Sequence, residues 1–485
     1  MYMQMRRWGW SIFMLVTTAA ACARAGGGQQ YVGGGGAPPA TGVAAVVAAG
    51  AAALSYVFIE QPWIAATVGA VGLGAWAAMS WNPGALRLRR WSAAAKPRRV
   101  ATLPLEALEV DPTFSRPMFL DFASLLYLRL HALRATDLSA LAPYVAGTLR
   151  QQAVRKTKES GVTGVYEILI GSVRMVAVDG FGGPQASIRV NFEANYTEHG
   201  AFGERPYYVV EDWTFSRRGT GSFSAPEAIL TLSCPGCGAS VDVDVDGKCR
   251  FCNRQVADGS VFWQLESITS VKREPRPPLQ PGAGRVEVGT ELPTFMQSDF
   301  DYRVREFKQR RPKFDAAAFD RRAREAFLAV QQAWAERRWE LARPYESDSL
   351  FSMHRWWLHQ YEKHGLVNHL EDVRLEQATW CKIESDQYFD AITVRMQASM
   401  KDYVTSHDGK VATGSKKARR FSEYWTFVRR ANYEPPKEPG KCPHCGAPLT
   451  GLNEAGQCPA CATKLTLGNF DWVVARIEQD EAYEG

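Results

Sequence analysis

Eight of the ten cysteines fall into four C-x2-C pairs, and the pairs fall into two groups. Cys234, Cys237, Cys249 and Cys252 have 11 residues between their pairs, whereas Cys442, Cys445, Cys458 and Cys461 have 12. Four thiolates offered from two short knuckles can surround one tetrahedral ion, at Zn–S distances of about 2.3 Å. Gly238 and Gly446 follow the first knuckle of each group, where glycine lets the backbone turn sharply enough for amides to face sulfur. Zinc is the expected cofactor, one structural ion per group, with a rubredoxin-like iron site or disulfides as the alternatives. A shell of four sulfurs leaves no position for water or substrate, so each ion is expected to be structural and not catalytic. His444, inside a knuckle, reads as a neighbour of the site and not a ligand.

Other chemistry-bearing residues give weaker signals. His354, His359, His364 and His369 recur every five residues. Five residues advance a helix by about 140°, so these rings spiral round it and read as surface. Cys381, beside Trp380 in a strand-like run, reads as a small buried residue. The basic cluster "EFKQRRPK" reads as a solvated face, with attraction to anionic lipid as the lesser reading. There is no nucleophile–base pair, no phosphate loop and no metal site with a free position, so no enzyme activity is expected. The net charge of +6 is too weak to mark a nucleic-acid binder, and "SVDVDVDG" between the first cysteine pairs is acidic.

The N-terminus points to the membrane. Residues 1–25 have a basic flank (Arg6 and Arg7), a short apolar core and "ARA" before Gly26, the three parts of an export signal. Cys22 in "AAAC" makes a poor lipobox, and lipidation is the lesser reading. A glycine-rich spacer occupies 26–42. Val43–Ile59 and Trp63–Trp81 are uncharged apolar stretches of 17 and 19 residues, each just long enough to span, so 43–81 is expected to be transmembrane. The basic juxtamembrane stretch 82–104 contains "RLRRWSAAAKPRR", the usual cytoplasmic flank. With the unoxidised thiols, it places the soluble part on the cytoplasmic side of a bacterial inner membrane.

The elements that must position the cysteines repeat with them. "EDWTFSRR" (Glu211–Arg218) precedes the first group and "EYWTFVRR" (Glu423–Arg430) the second. Trp263 and Trp472 each follow the last cysteine of their group by 11 residues, with Gly259 and Gly468 four residues earlier. Phe114, Phe119 and Tyr144 answer Phe314, Phe319 and Tyr345, over spans of 30 and 31 residues. So many landmarks in register mean a duplication. Phe319, Ala323, Phe327, Val330 and Trp334 make one apolar helix face, and the helical run Arg338–His364 is broken near Pro344. "YEILIGSVRMVAV", "ASIRVNFEANY" and "YYVVEDWTF" in the first copy, like "VRLEQATWCKI", "YFDAITVRMQASM" and "RRFSEYWTFVRR" in the second, are strand-like. Helices first and an antiparallel sheet afterwards predict an α+β class for each copy. The copies span 105–272, with its ribbon at 234–252, and 291–480, with its ribbon at 442–461; the proline-rich 273–290 joins them.

In that order of elements the chain resembles the bacterial Tim-forty-four-like family, related to a domain of the mitochondrial import motor's anchoring subunit. Phe314–Phe351, "FSEYWTFVRR" and "GNFDWVVARI" carry the resemblance in the second copy, and the first copy is more diverged. The resemblance implies two tandem cone-like domains of the nuclear transport factor two-like group, with the ribbons as insertions. It implies a membrane-anchored binding or scaffold protein whose partner is a protein segment or lipid at the bilayer; nucleic acid is the less expected partner. The alternative is an enzyme or small-molecule binder using the conical pocket, lined by Glu211, Trp213 and Phe215 in one copy and Glu423, Trp425 and Phe427 in the other. The core reading of those aromatics is favoured.

Overall fold

Ser115 accepts the Met118 amide and starts helix α1, Arg116–Leu133; 200 residues later Asp315 accepts the Ala318 amide and starts α4, Ala316–Glu336. The same cap at the same place in both copies is the first sign that the duplication is structural. The computed structural model describes residues 111, 114–201, 203–219, 229–275, 290–433, 438, 440–449, 452–480, 483 and 485. The expected signal, spacer, transmembrane and juxtamembrane stretches, 1–104, lie outside the described residues, as does most of the linker. Among the described residues no helix is long and apolar enough to cross a membrane.

The first half continues with α2 (Gly147–Glu159) and strands β1 (Val162–Asp179), β2 (Gln185–Gly200), β3 (Gly203–Arg218) and β4 (Gln264–Pro275). The second half opens with α3 (Phe300–Arg310), then α4 and α5 (Asp348–Lys363). Strands β5 (Val367–Ser385), β6 (Phe389–Thr405), β7 (Val411–Arg430) and β8 (Val473–Gln479) complete it. The sheets run β1-β2-β3-β4 and β5-β6-β7-β8, with every neighbouring pair antiparallel. The α+β expectation holds. β4 runs on to Pro275, so the first residues assigned to the linker belong to a strand. Near Pro344 the helical run breaks into two 3-10 turns, Trp339–Leu341 and Arg343–Tyr345.

The repeat survives at atomic detail. Phe119 meets Trp263 edge-on at 5.6 Å and Phe215 at 5.2 Å; Phe319 meets Trp472 at 4.9 Å and Phe427 at 5.5 Å. Arg217 lies over Trp263 at 4.9 Å and Arg429 over Trp472 at 4.4 Å. The Ala146 amide bonds Leu265 O and the Ser347 amide bonds Val474 O, both at 2.9 Å, each beside a short parallel bridge. The first strand of each sheet carries a bulge at a left-handed non-glycine residue, Glu167 at φ 59° and Asp372 at φ 54°. These two residues sit at the same register, so the bend they impose was inherited with the sheet.

The halves belong to one packed unit. Phe389 of β6 and Leu467 enter the hydrophobic core of the first half. Arg116 Nη1 reaches Glu384 Oε1 at 2.9 Å, and Lys382 Nζ lies 3.5 Å from Glu384 Oε2. Burial opposes the Glu384 charge, but Arg116 and Lys382 outweigh it and hold the carboxyl at about 2. On α1, Asp121 Oδ1 accepts from Ser349 Oγ at 2.5 Å and lies 3.4 Å from Ser347 Oγ. Desolvation pushes Asp121 up to about 6 despite the Ser349 hydrogen bond.

Candidate metal centres

Each ribbon fills the connection between the third and fourth strands of its sheet, as the sequence predicts: β3 to β4 for Cys234–Cys252 and β7 to β8 for Cys442–Cys461. Within each, the first amide bonds the residue after the knuckle glycine, Cys234 N to Ala239 O and Cys442 N to Ala447 O, both at 2.7 Å. Gly238 and Gly446 make that turn with φ of 80° and 75°, which a side chain would resist. The second knuckles close identically, Cys249 N to Arg254 O and Cys458 N to Thr463 O at 2.9 Å, with Asn253 and Ala462 left-handed. Burial follows suit: the first and third cysteines are buried and the second is exposed in both ribbons.

The four sulfurs of each group lie within 4.8 Å of one another. Cys234–Cys252 and Cys237–Cys249 are 4.0 Å apart, and Cys442–Cys461 and Cys445–Cys458 are 3.7 and 3.8 Å apart. A tetrahedron with 2.3 Å arms has edges of about 3.8 Å, whereas a disulfide needs about 2.05 Å. The donor sets fit a tetrahedral ion, and the described cysteines are all unbridged. Backbone amides face the sulfurs as expected: those of Gly236 and Cys237 toward Cys234, of Ala447 toward Cys445. The Thr463 hydroxyl, 3.2 Å from Cys461 Sγ, leads in pulling that thiol down to about 5, with the Thr463 amide behind it. Such contacts favour the thiolate that a metal binds, although burial still leaves Cys234 pushed up to about 12 and the neighbouring thiols leave Cys445 there too. The apolar interiors are small: Val256 and Val261 beside Cys234 and Cys249, Leu452 and Leu465 beside Cys442 and Cys458. So small a core leaves each ribbon's shape dependent on a tie between its sulfurs, which an ion in the four-sulfur site could supply.

The residues named for the alternative pocket sit apart from the ribbons, in the strands beneath the helices. Trp213, Phe215, Trp425 and Phe427 are fully buried under α1 and α4; Trp213 lies 4.9 Å from Tyr127 of α1 and Trp425 5.4 Å from Phe327 of α4. Glu211 accepts from Trp213 Nε1 at 2.9 Å and Glu423 from Trp425 Nε1 at 3.0 Å. The repeated Glu-x-Trp is therefore a buried carboxylate satisfying an indole two residues on along the strand. In the first half His131 Nε2 adds a second contact to Glu211, at 3.1 Å. Burial drives His131 toward its neutral form, while His131, Trp213 and Arg134 together overcome the burial cost of Glu211 and hold it below its usual range. Nothing local in the sequence ties His131 to a residue 80 positions away.

The surface reading of the histidines fails for His354, which is buried with Nδ1 2.6 Å from Glu346 Oε1 and packs against Trp334. His359 is exposed, and His369 belongs to β5 and stacks on Tyr403. Cys381 is fully buried, its thiol 3.3 Å from Thr393 O. A polar web with no local sequence signal lies under the second ribbon. Arg343, buried, reaches Asp348 and bonds Glu454 O at 2.9 Å; Lys464 Nζ and Thr466 Oγ1 reach Asp348 at 2.5 and 3.0 Å.

Residues 302–439 match the Tim44-like domain. The match opens within α3, takes in the helices and first three strands of the second half, and ends just before Cys442. The ribbon thus lies outside the Tim44-like segment, as an insertion ahead of β8 would. No curated protein matches the chain.

Proposed function

We propose that the chain is a bacterial, membrane-anchored, non-catalytic binding or scaffold protein. Two Tim44-like units, each with a structural zinc ribbon, present a protein- or lipid-binding surface on the cytoplasmic side of the inner membrane. The match over 302–439 carries this reading, and the coincident aromatic frames extend it to the first half. Zinc is favoured by all-sulfur donor sets at tetrahedral spacing. The filled surroundings of Trp213 and Trp425 support a binding role over a pocket enzyme. The anchor rests on the apolar stretches within 43–81.

The test is made on the full chain in its own membrane. Metal analysis is expected to give two zinc ions per chain. Protease added to right-side-out cells is expected to spare the soluble part, and protease added to inverted vesicles to digest it. Digestion from outside would overturn the placement, and fewer than two ions would overturn the paired zinc ribbons.

A further inference from the structure

The second ribbon leaves its cysteines through Lys464–Leu467, and these four residues reach three separate places: the ribbon's interior, the start of α5 and the core of the first half. Leu465 packs with Cys442, Leu452 and Cys458 inside the ribbon. Lys464 and Thr466 both bond Asp348, the first residue of α5. Leu467 is only 5% exposed and packs in the core of the first half. Asp348 stands between Ser347 and Ser349, whose hydroxyls face Asp121 on α1. An unbroken path of contacts thus runs from the second four-cysteine site to the junction of the halves.

Among the described residues the first ribbon shows no such path. Its matching bridge puts Gln255 where the second has Lys464, so Val256, Ala257 and Asp258 stand for Leu465, Thr466 and Leu467. Val256 packs with its cysteines as Leu465 does. Ala257 has no polar side chain, and the Asp258 carboxylate turns back onto Ser260. Gly147 opens α2 where Asp348 opens α5. The cysteine geometry was kept in both ribbons, while the onward contacts were built in only one.

We propose that the second four-cysteine site is the latch between the halves and that the first is not. The proposal rests on the reading that each group holds a metal ion. With so little apolar interior, the ribbon keeps Lys464–Leu467 in place only while its four sulfurs are tied together. Released, the run gives up both bonds to Asp348 and withdraws Leu467, so ordering of the ribbon and closure of the junction are linked.

Amide hydrogen exchange on the full chain, with metal content measured on the same samples, tests this. Two regions report the junction, the first turn of α1 and 385–389, and the centre of β2 serves as the internal reference. Cys458→Ser is expected to lose one ion and to speed exchange at the junction about tenfold or more, with β2 unchanged. Cys249→Ser is expected to lose one ion and to leave the junction within about twofold of wild type. The double variant Lys464→Met/Thr466→Val keeps every cysteine, so it reads the linkage even if Cys458→Ser fails to fold. It is expected to retain both ions and still speed junction exchange about threefold. Equal effects of the two cysteine variants, or an unchanged junction in the double variant with both ions bound, would overturn the latch and leave the metal reading standing. A wild-type chain with fewer than two ions would overturn the metal reading and the latch together.

Discussion

The two halves share an aromatic frame and differ in the polar groups that surround it. Phe119, Phe215 and Trp263 repeat as Phe319, Phe427 and Trp472 with nearly the same ring separations. Around them the charges have been redistributed. Arg217 pairs with Asp111, whereas Arg429 pairs with Asp390 of β6 at 3.2 Å, and Arg311 stands at Asp111's place in the repeat, itself 3.0 Å from Asp390. His131, twelve residues after Phe119, is matched by the buried Gln331, twelve after Phe319. A packed aromatic cluster tolerates little change of shape, because each ring is held by several others. A buried charge needs only some partner within reach, and that partner can arrive from another element. Duplication therefore kept the packing and let the partners drift.

The sharpest way to break this comparison is to remove the shared frame. Phe119→Ala and Phe319→Ala each delete a fully enclosed ring and are expected to cost about 3–5 kcal/mol by denaturant unfolding. The two losses should agree within about 1 kcal/mol if the frames are energetically equivalent. A loss under about 1 kcal/mol at either site would show that the matching geometry conceals unequal packing.

The next test exchanges a difference. His131 is buried neutral, so its folded-state pKa lies below its ordinary 6.5. Its contribution is complete above 6.5 and is lost as pH falls, because the unfolded chain takes the proton first. Glu211, held below its ordinary 4.5, acts in the same direction at lower pH. His131→Gln, which copies the second half, is expected to flatten the fall in stability as pH drops below 6.5. Unfolding followed at several pH values checks it; an unchanged slope would mean that His131 does not set the acid sensitivity of the first half.

The same division explains what could be read from the sequence. Cysteine spacing, knuckle glycines, the Trp-Thr-Phe strands and the phenylalanines of the helices are rare residues at fixed offsets, so both the repeat and the two sulfur sites were legible. Strand ends were less so: β5 begins at Val367, ahead of the hydrophobic run, because a bulge at Asp372 carries the pairing past polar residues. The junction could not be read at all. Asp121, Ser347, Ser349 and Lys464 are common polar residues, and only the folded chain brings Asp121 to Ser349, 228 positions away. His354 is buried against the surface expectation because periodicity places a residue on a face without saying what covers that face.

The smallest expected effect lies at the ribbon tips. Phe251, two residues after Cys249, is 63% exposed, and the matching residue in the second ribbon is the exposed Ala460. If the first ribbon's tip plays no part in holding its cysteines, Phe251→Ala should change stability by no more than about 0.5 kcal/mol. Metal content should also stay at the wild-type value, because Val256 and Val261 supply the apolar side of that site and the ring does not. A larger loss, measured by thermal unfolding, would mean that the exposed ring leans on the rest of the first half. The first ribbon would then have a contact of its own to set against the one that Lys464–Leu467 makes in the second.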